Sequence, residues 1–389
     1  MLAPEPFFKT RGTPFSVFHR CKALTSLGHK VHLITYPMGE DVEMEGLTLE
    51  RVKSVPGVKD VIIGFSPAKI PLWFRIFFAA RQRLKKESFD LLHTHEDAVF
   101  VGALLAKKAG IPHLYDMHSS LPQQFQNYNQ LNFKPIIAIA RIFERFALKR
   151  SDAVIAICPA LGECAKQQGF EGALSIIENV ALSSQGDTPD PKEVDDLRHT
   201  WGVRDGIAAV YTGTLEVNQG LDLLYAALSE LKGAIPSLKC ILVGGDEKQI
   251  KKWREQADRD SLSGIILLTG KMAPSKMPLV MEAADILLST RIIGTNTPLK
   301  IYSYMQSGKA ILATDLSTHT QVLNTNCAKL VPPTPEGVAS GLLELAQSED
   351  LRNRLGQSAK ELLAKDYSYE IYLKKTQELI EWLKSKRQK

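Results

Sequence analysis

DILLSTRIIGTNTPLKIYSYMQSGKAILAT, residues 285–314, is the stretch on which the fold turns. An apolar run ends in small polar residues, and a turn of Gly, Asn and Thr follows. A helical pattern then opens near Lys300 and closes at Gly308, and a second apolar run resumes. Strand, turn, helix and strand in so short a span make a βαβ unit, whose crossover is right-handed and leaves its two strands parallel. Pro298 is placed to start the helix. Arg291 and Lys300 flank Gly294, Thr295, Asn296 and Thr297, with no carboxylate between them. A helix N-terminus adds roughly half a positive charge. The turn therefore suits a diphosphate; the plainer alternative is a capped helix with two solvated cations.

The same unit recurs along the chain. HKVHLITY (29–36), DLLHTH (90–95), HLYDMH (113–118), DAVIAI (152–157) and LSIIEN (174–179) occupy the first half, and AAVYTGT (208–214), LKCILVGG (238–245) and IILLTG (265–270) precede the opening stretch. These runs show little strict alternation, as strands covered on both faces do. Helical patterns separate them, among them SVFHRCKALTSLG (16–28), GLDLLYAALSELKG (220–233) and EGVASGLLELA (336–346). A chain of 389 residues is long for one core. The reading is α/β, with two doubly wound, Rossmann-like parallel-sheet domains facing a cleft. The boundaries are 1–182 for the first domain, 183–196 (SSQGDTPDPKEVDD) for the linker, 197–365 for the second domain and 366–389 for a terminal helix.

Composition narrows the function. Hydrophobic residues make up 44% and charged residues 23%, as in globular proteins. No apolar run approaches ~18 residues and no signal-peptide pattern opens the chain, which predicts a cytoplasmic protein. MLAP is too short for a normal opening strand, so the first strand reads as clipped. Five scattered cysteines, none in a CxxC spacing, imply neither disulfides nor a zinc site. Residues 1–150 carry 21 Lys and Arg against 13 Asp and Glu, whereas residues 151–389 carry 27 against 30. The basic half either faces something anionic or is a solvated surface. Nucleic acid is not expected as a partner.

In open α/β sheets ligands bind beyond the carboxyl ends of strands. The loop KTRGTP (9–14) contains Gly12, which permits close approach to a ligand, and Thr13, and it runs into a helix. His118 ends the run HLYDMH, where an imidazole can hydrogen-bond a sugar hydroxyl; a satisfied structural histidine is the alternative. His93 and His95 end the preceding run, and at least one of them reads as structural.

Several stretches occur in the order seen in a known family: APEPFFKTRGTP, SLGHKVHLIT, LLHTHEDAVFVGALLAKKAGIPHLYDMH, SDAVIAICPAL, YTGTLEVNQGLDLLYAAL, LTGK and TPLKIYSYMQSGKAILAT. Together they resemble the retaining glycosyltransferases of family 4, which have the GT-B fold. The resemblance implies a nucleotide-diphosphate sugar bound by the second domain and a sugar, lipid-linked or other hydroxyl acceptor bound by the first. It also implies no metal and no other cofactor, and a last helix that returns to the first domain. Carried over by residue, His118 contacts the sugar and Lys300 and Arg291 face the diphosphate. Gly12, Thr13, Gly213, Thr214, Gly270, Lys271, Thr295, Asn296, Thr297, Leu299 and Ser303 surround the donor. Departures accompany the match. Thr214 and Gln219 stand where many members carry an arginine and a lysine, and Thr295 and Ser303 stand where a pair of glutamates is usual. A nucleotide-sugar 2-epimerase and a catalytically degenerate GT-B binding protein are the competing readings.

PLWFRIFFAARQRLKK (71–86) places Trp73, Phe74, Phe77 and Phe78 before Arg81, Arg83, Lys85 and Lys86. Either the aromatics pack on the first sheet or the helix lies in an anionic membrane interface, which would make the protein peripheral at the cytosolic face.

Overall fold

The computed structural model describes residues 1–8, 12–58, 61, 69–127, 133–181 and 189–387. It falls into two compact units, Met1–Asn179 with Tyr369–Lys389, and Val180–Ser368.

The first unit is built on seven parallel strands: β1 (Leu2–Ala3), β2 (Val31–Thr35), β3 (Leu47–Arg51), β4 (Leu92–His95), β5 (His113–Met117), β6 (Ala153–Ala156) and β7 (Ala173–Ile176). Their order is β3-β2-β1-β4-β5-β6-β7. All five residues of β5 are buried, because helices cover both of its faces. Strand order reverses between β1 and β4, where Leu2 pairs with both Ile34 and Thr94. The helix Tyr369–Arg387 belongs to this unit. Its Thr376 and Tyr372 meet Arg20 of the helix Gly12–Ser26: Arg20 Nη1 donates to Thr376 Oγ1 at 3.2 Å, and the guanidinium lies 4.7 Å from the centre of the Tyr372 ring.

The second unit holds six parallel strands: β8 (Ile207–Thr212), β9 (Leu238–Val243), β10 (Ile266–Gly270), β11 (Ile286–Ser289), β12 (Ala310–Thr314) and β13 (Lys329–Val331). They run β10-β9-β8-β11-β12-β13, with the reversal between β8 and β11. The opening stretch is the β11–helix–β12 unit, Ile286 pairing with Ala310 in parallel register. Its helix is Lys300–Ser307, and Gly308 closes it in the left-handed conformation.

PKEVDD (191–196), read as linker, is instead the first part of the helix Pro191–Thr200. Asp190 caps it by accepting from Lys192 N at 2.9 Å, and Pro191 fits the first turn, where its missing N–H costs nothing. Val194 and Leu197 supply the apolar face that packs on the second unit's core. Residues 183–188 of that reading lie outside the described residues. All five cysteines are free thiols. Among the described residues no helix is long and apolar enough to cross a membrane.

Candidate active site

The second unit's switch point joins a glycine rim to a cationic turn. β8, β9 and β10 each run into glycine at positive φ: Gly213 at 138°, Gly244 at 130° and Gly270 at 78°. The requirement is strict at Gly244, where a Cβ would lie 1.9 Å from the Gly213 carbonyl oxygen. Gly213 and Thr214 are exposed, and the Tyr211 hydroxyl donates to Thr214 O at 2.6 Å, folding that loop back on its strand. Beside them, Lys300 Nζ is shut off from solvent with no hydrogen-bond partner among the described residues, 3.7 Å from the centre of the Tyr211 ring. Burial, and then the nearby Arg291 charge, hold the Lys300 pKa well below the usual lysine range. Thr297 Oγ1 is likewise buried and unpartnered among the described residues.

The turn is held by ties to its own carbonyls. Arg291 Nε donates to Ile293 O at 2.8 Å and its Nη1 to Asn296 O at 3.1 Å. From the end of β12 and the segment after it, Thr314 Oγ1 donates to Arg291 O at 2.6 Å, Thr318 Oγ1 to Asn296 O at 2.8 Å, and Gln321 Nε2 to Thr295 O at 2.8 Å. With these carbonyl oxygens engaged, the turn presents donors and cations to a ligand. His319 supports the same segment between Ser289 Oγ (2.8 Å) and Thr314 O (2.9 Å). Burial lowers its pKa to about 4, so His319 adds no charge to the turn at neutral pH.

In the first unit the carboxyl ends of β4 and β5 carry a buried polar cluster. Asp116 Oδ2 accepts from Arg20 Nε at 2.8 Å, with His93 Nε2 at 3.4 Å and His95 Nδ1 at 3.8 Å; His118 Nε2 lies 3.4 Å from Oδ1. His95 Nδ1 and His118 Nε2 are 2.9 Å apart, so one of the two donates to the other. Burial alone would raise the Asp116 carboxyl, but Arg20 and the imidazoles outweigh it and hold it well below the usual carboxylate range. Burial drives His93 down to about 4, and His95 and His118 fall as well. The cluster at neutral pH is thus one ion pair and three uncharged imidazoles. His93, His95 and Asp116 place metal-ligand atoms within 4.8 Å of one another, but the Arg20 guanidinium already supplies the positive charge that an ion would bring. Beyond His118 the chain is pinned by buried Glu144, which accepts from Leu121 N (2.8 Å) and Ser120 Oγ (3.1 Å).

The second unit thus brings together Gly213, Thr214, Arg291, Thr295, Asn296, Thr297, Leu299 and Lys300 around one switch point. Gly270 ends β10 and exposed Lys271 follows it, further along the same rim, and Ser303 is buried inside the helix at 5% exposure. Pro298 precedes the helix and takes Ile301 N on its carbonyl, so the first helical residue is Lys300. In the first unit His118 is buried, and Gly12 is exposed as the first residue of its helix, where a Cβ would meet nothing within 4 Å. Residues 9–11 of the KTRGTP loop lie outside the described residues. Sequence reasoning missed Asp116 and Arg20, the Thr318–Gln321 ties and the Gly244–Gly245 pair. Of these, the two glycines ending LKCILVGG were the legible signal.

The family models agree with this architecture. Residues 10–180 match Glycosyltransferase Family 4, and residues 206–348 match Glycosyl transferases group 1. The chain belongs to the family 4 glycosyltransferases. Among its relatives, the phosphatidyl-myo-inositol mannosyltransferase of Mycolicibacterium smegmatis is 24% identical over 90% of this chain and 85% of its own length. The alpha-monoglucosyldiacylglycerol synthase of Streptococcus pneumoniae is 21% identical over 75% and 65%. Similar solved structures include sucrose-phosphate synthase of Thermosynechococcus elongatus, with TM-score 0.77 and 17% identity over 99% of this chain and 98% of that one. Anabaena HepE in complex with UDP gives TM-score 0.73 at 17% identity over the same shares. The fold of this glycosyltransferase is GT-B.

Proposed function

We propose that this glycosyltransferase takes a sugar from a nucleotide diphosphate and transfers it, with retention, to a hydroxyl of a lipid or lipid-linked acceptor at the cytosolic face of a membrane. The observation that carries the reading is the buried, unpartnered Lys300 ammonium beside Arg291 and Thr297. An uncompensated buried cation costs stability, and a diphosphate supplies the missing charge. As the glycosidic bond breaks, charge grows on the leaving phosphate oxygen, where Lys300, Arg291 and the helix N-terminus stabilise it without a metal. That oxygen takes the proton of the acceptor hydroxyl on the same face. The family resemblance assigns His118 to the sugar and Gly12 and Thr13 to the phosphates. HepE, of the same fold, binds UDP, which supports a nucleotide donor.

The lipid acceptor draws on the helix Lys69–Lys86. It buries Leu72, Ile76 and Ala80 but leaves Phe74 60% and Phe78 57% exposed, with Arg75, Lys85 and Lys86 also exposed. Arg83 is engaged by Glu50 at 2.7 Å and Glu87 at 3.0 Å. A second face, Ile139, Ile142 and Phe143 of the helix Lys134–Leu148, is more than half exposed. Apolar side chains flanked by cations suit an anionic lipid surface, and two relatives bear the names of lipid glycosyltransferases.

A 2-epimerase reading draws on Glu96 and Asp97, whose carboxyls burial pushes up to about 7 and about 6. One experiment separates the two. UDP-, GDP- and ADP-sugars are screened by thermal shift, and the sugars that raise Tm are incubated with vesicles of phosphatidylcholine carrying phosphatidylinositol or diacylglycerol. Free nucleotide and a lipid glycoside with the donor's anomeric configuration are expected. An epimerised sugar still attached to its nucleotide would overturn transfer.

A further inference from the structure

Glu96 follows β4 directly, and its backbone is left-handed at φ 47°, a conformation that among non-glycine residues described here it shares only with Ser261. Side chains with a Cβ avoid this region, and where they persist in it the surrounding structure holds them there, often at functional sites. The turn lies on the ligand-binding edge: Glu96 N donates to Asp116 O at 3.4 Å, and the preceding His95 touches His118.

The carboxylate is half satisfied. Ser119 Oγ donates to Glu96 Oε2 at 2.7 Å, and Gln124 Nε2 donates to that same Ser119 oxygen, which directs the serine hydrogen onto Glu96. Among the described residues no hydrogen bond reaches Glu96 Oε1, and the side chain is partly exposed. Asp97 and Asp116 face it with negative charge and Lys69 with positive charge. A carboxylate would repel a diphosphate, but it accepts readily from a hydroxyl.

We propose that Glu96, held by Ser119, binds the acceptor: its open oxygen accepts a hydrogen bond from a hydroxyl of the lipid headgroup next to His118. The inference rests on the transferase reading above and adds the acceptor subsite to it. Burial pushes this carboxyl up to about 7, so it exchanges its proton near neutral pH and becomes the stronger, charged acceptor above that value.

The sign of the stability effect separates this role from a structural one. An acid whose pKa is about 7 folded and 4.5 unfolded destabilises the fold increasingly as pH rises from 4.5 to 7. Glu96→Gln should therefore melt at or above the wild-type temperature at pH 7.5 and lose that advantage towards pH 4.5. Glu96→Gly, which also relaxes the backbone, should melt no lower than wild type. Both variants should keep the Tm shift given by UDP, GDP or ADP and keep hydrolysis of the donor in water. Transfer to phosphatidylinositol or diacylglycerol in phosphatidylcholine vesicles should fall at least tenfold in both, and Glu96→Gln should lack the wild-type loss of transfer below pH 7. Transfer within twofold of wild type in both variants overturns the acceptor role and leaves the transferase reading standing. Melting several degrees lower in both variants, with transfer reduced only as far as hydrolysis, assigns Glu96 to the scaffold. A wild type that transfers to neither lipid overturns the lipid-acceptor reading and this inference with it.

Discussion

Replacing Lys300 by methionine keeps a four-atom apolar stem, with sulfur in place of one methylene, and removes the ammonium. Nζ has no hydrogen-bond partner among the described residues, and it lies 3.7 Å from the centre of the Tyr211 ring. Removing this cation–π interaction costs about 0.5–2 kcal/mol, and relieving an unpaired desolvated group returns about 1–3 kcal/mol. The two nearly cancel, so the variant should fold with a stability within about 1 kcal/mol of wild type. Diphosphate binding should behave differently. A charge-assisted contact contributes about 1.5–3 kcal/mol, which is about a 10- to 150-fold loss of affinity. Isothermal titration with UDP, GDP and ADP, and with the matching nucleosides, isolates the effect, because the nucleoside never reaches Lys300. The lowered lysine pKa adds a second readout, since phosphate draws that pKa back up and binding takes up protons between the free and bound values. Wild-type titrations should show this uptake as a dependence on buffer ionisation enthalpy, and Lys300→Met should not. Equal diphosphate affinity in the two proteins, or an equal loss for nucleoside and nucleotide, would refute the reasoning.

Arg20→Met leaves Asp116 charged and buried without its partner and should cost about 3–5 kcal/mol in urea unfolding; a loss below about 1 kcal/mol would show that the ion pair does not hold the first unit together. His93, His113 and His319 each sit at about 4 when folded against 6.5 unfolded, so stability is complete above pH 6.5 and lost as pH falls towards 4. At ~1.36 kcal/mol per pH unit, each contributes up to about 3 kcal/mol, and an unchanged urea midpoint between pH 7 and 5 would contradict it. His118→Ala should depress turnover while nucleotide affinity holds, and an unaltered rate would return the imidazole to a packing role. Vesicles of anionic lipid should float the protein at ~50 mM salt and release it at ~500 mM as screening shortens, with Phe74→Ser/Phe78→Ser weakening binding at both; absence of flotation at the lower salt would favour an acceptor presented away from membranes.

The central strands were legible because both of their faces are buried: DAVIAI and AILATD are nearly unbroken apolar runs, and they became β6 and β12. The edge strands β3 and β13 were not, since LTLER and KLV are half-exposed and carry polar residues that break any run. The helix Pro191–Thr200 hid for a related reason: its apolar contacts reduce to Val194 and Leu197 among charged neighbours. At the site, Arg291, Lys300 and Thr297 could be read because one turn contains them all. Asp116 and Arg20 meet across 96 positions, and nothing local to either residue announces the other. The aromatics of the helix Lys69–Lys86 divided in a way that its sequence does not dictate, with Trp73 and Phe77 packing inward and Phe74 and Phe78 left outside.

Arg20 reaches Thr376 across 356 positions, so the first unit contains both an early and a late part of the chain. On the ribosome this reverses the usual order of completion. When Asn179 emerges, the sheet of the first unit is present but the helix Tyr369–Arg387 has yet to be made. At about 5–20 residues per second the intervening stretch takes roughly 10–40 s to synthesise. Throughout that interval Arg20 and Asp116 lack the cover of Tyr372 and Thr376, and the helix surface that packs on Tyr369–Arg387 stays open to solvent. The second unit, continuous from Val180 to Ser368, has no such wait. The nascent first unit is therefore the part of this protein that a chaperone would have to shield.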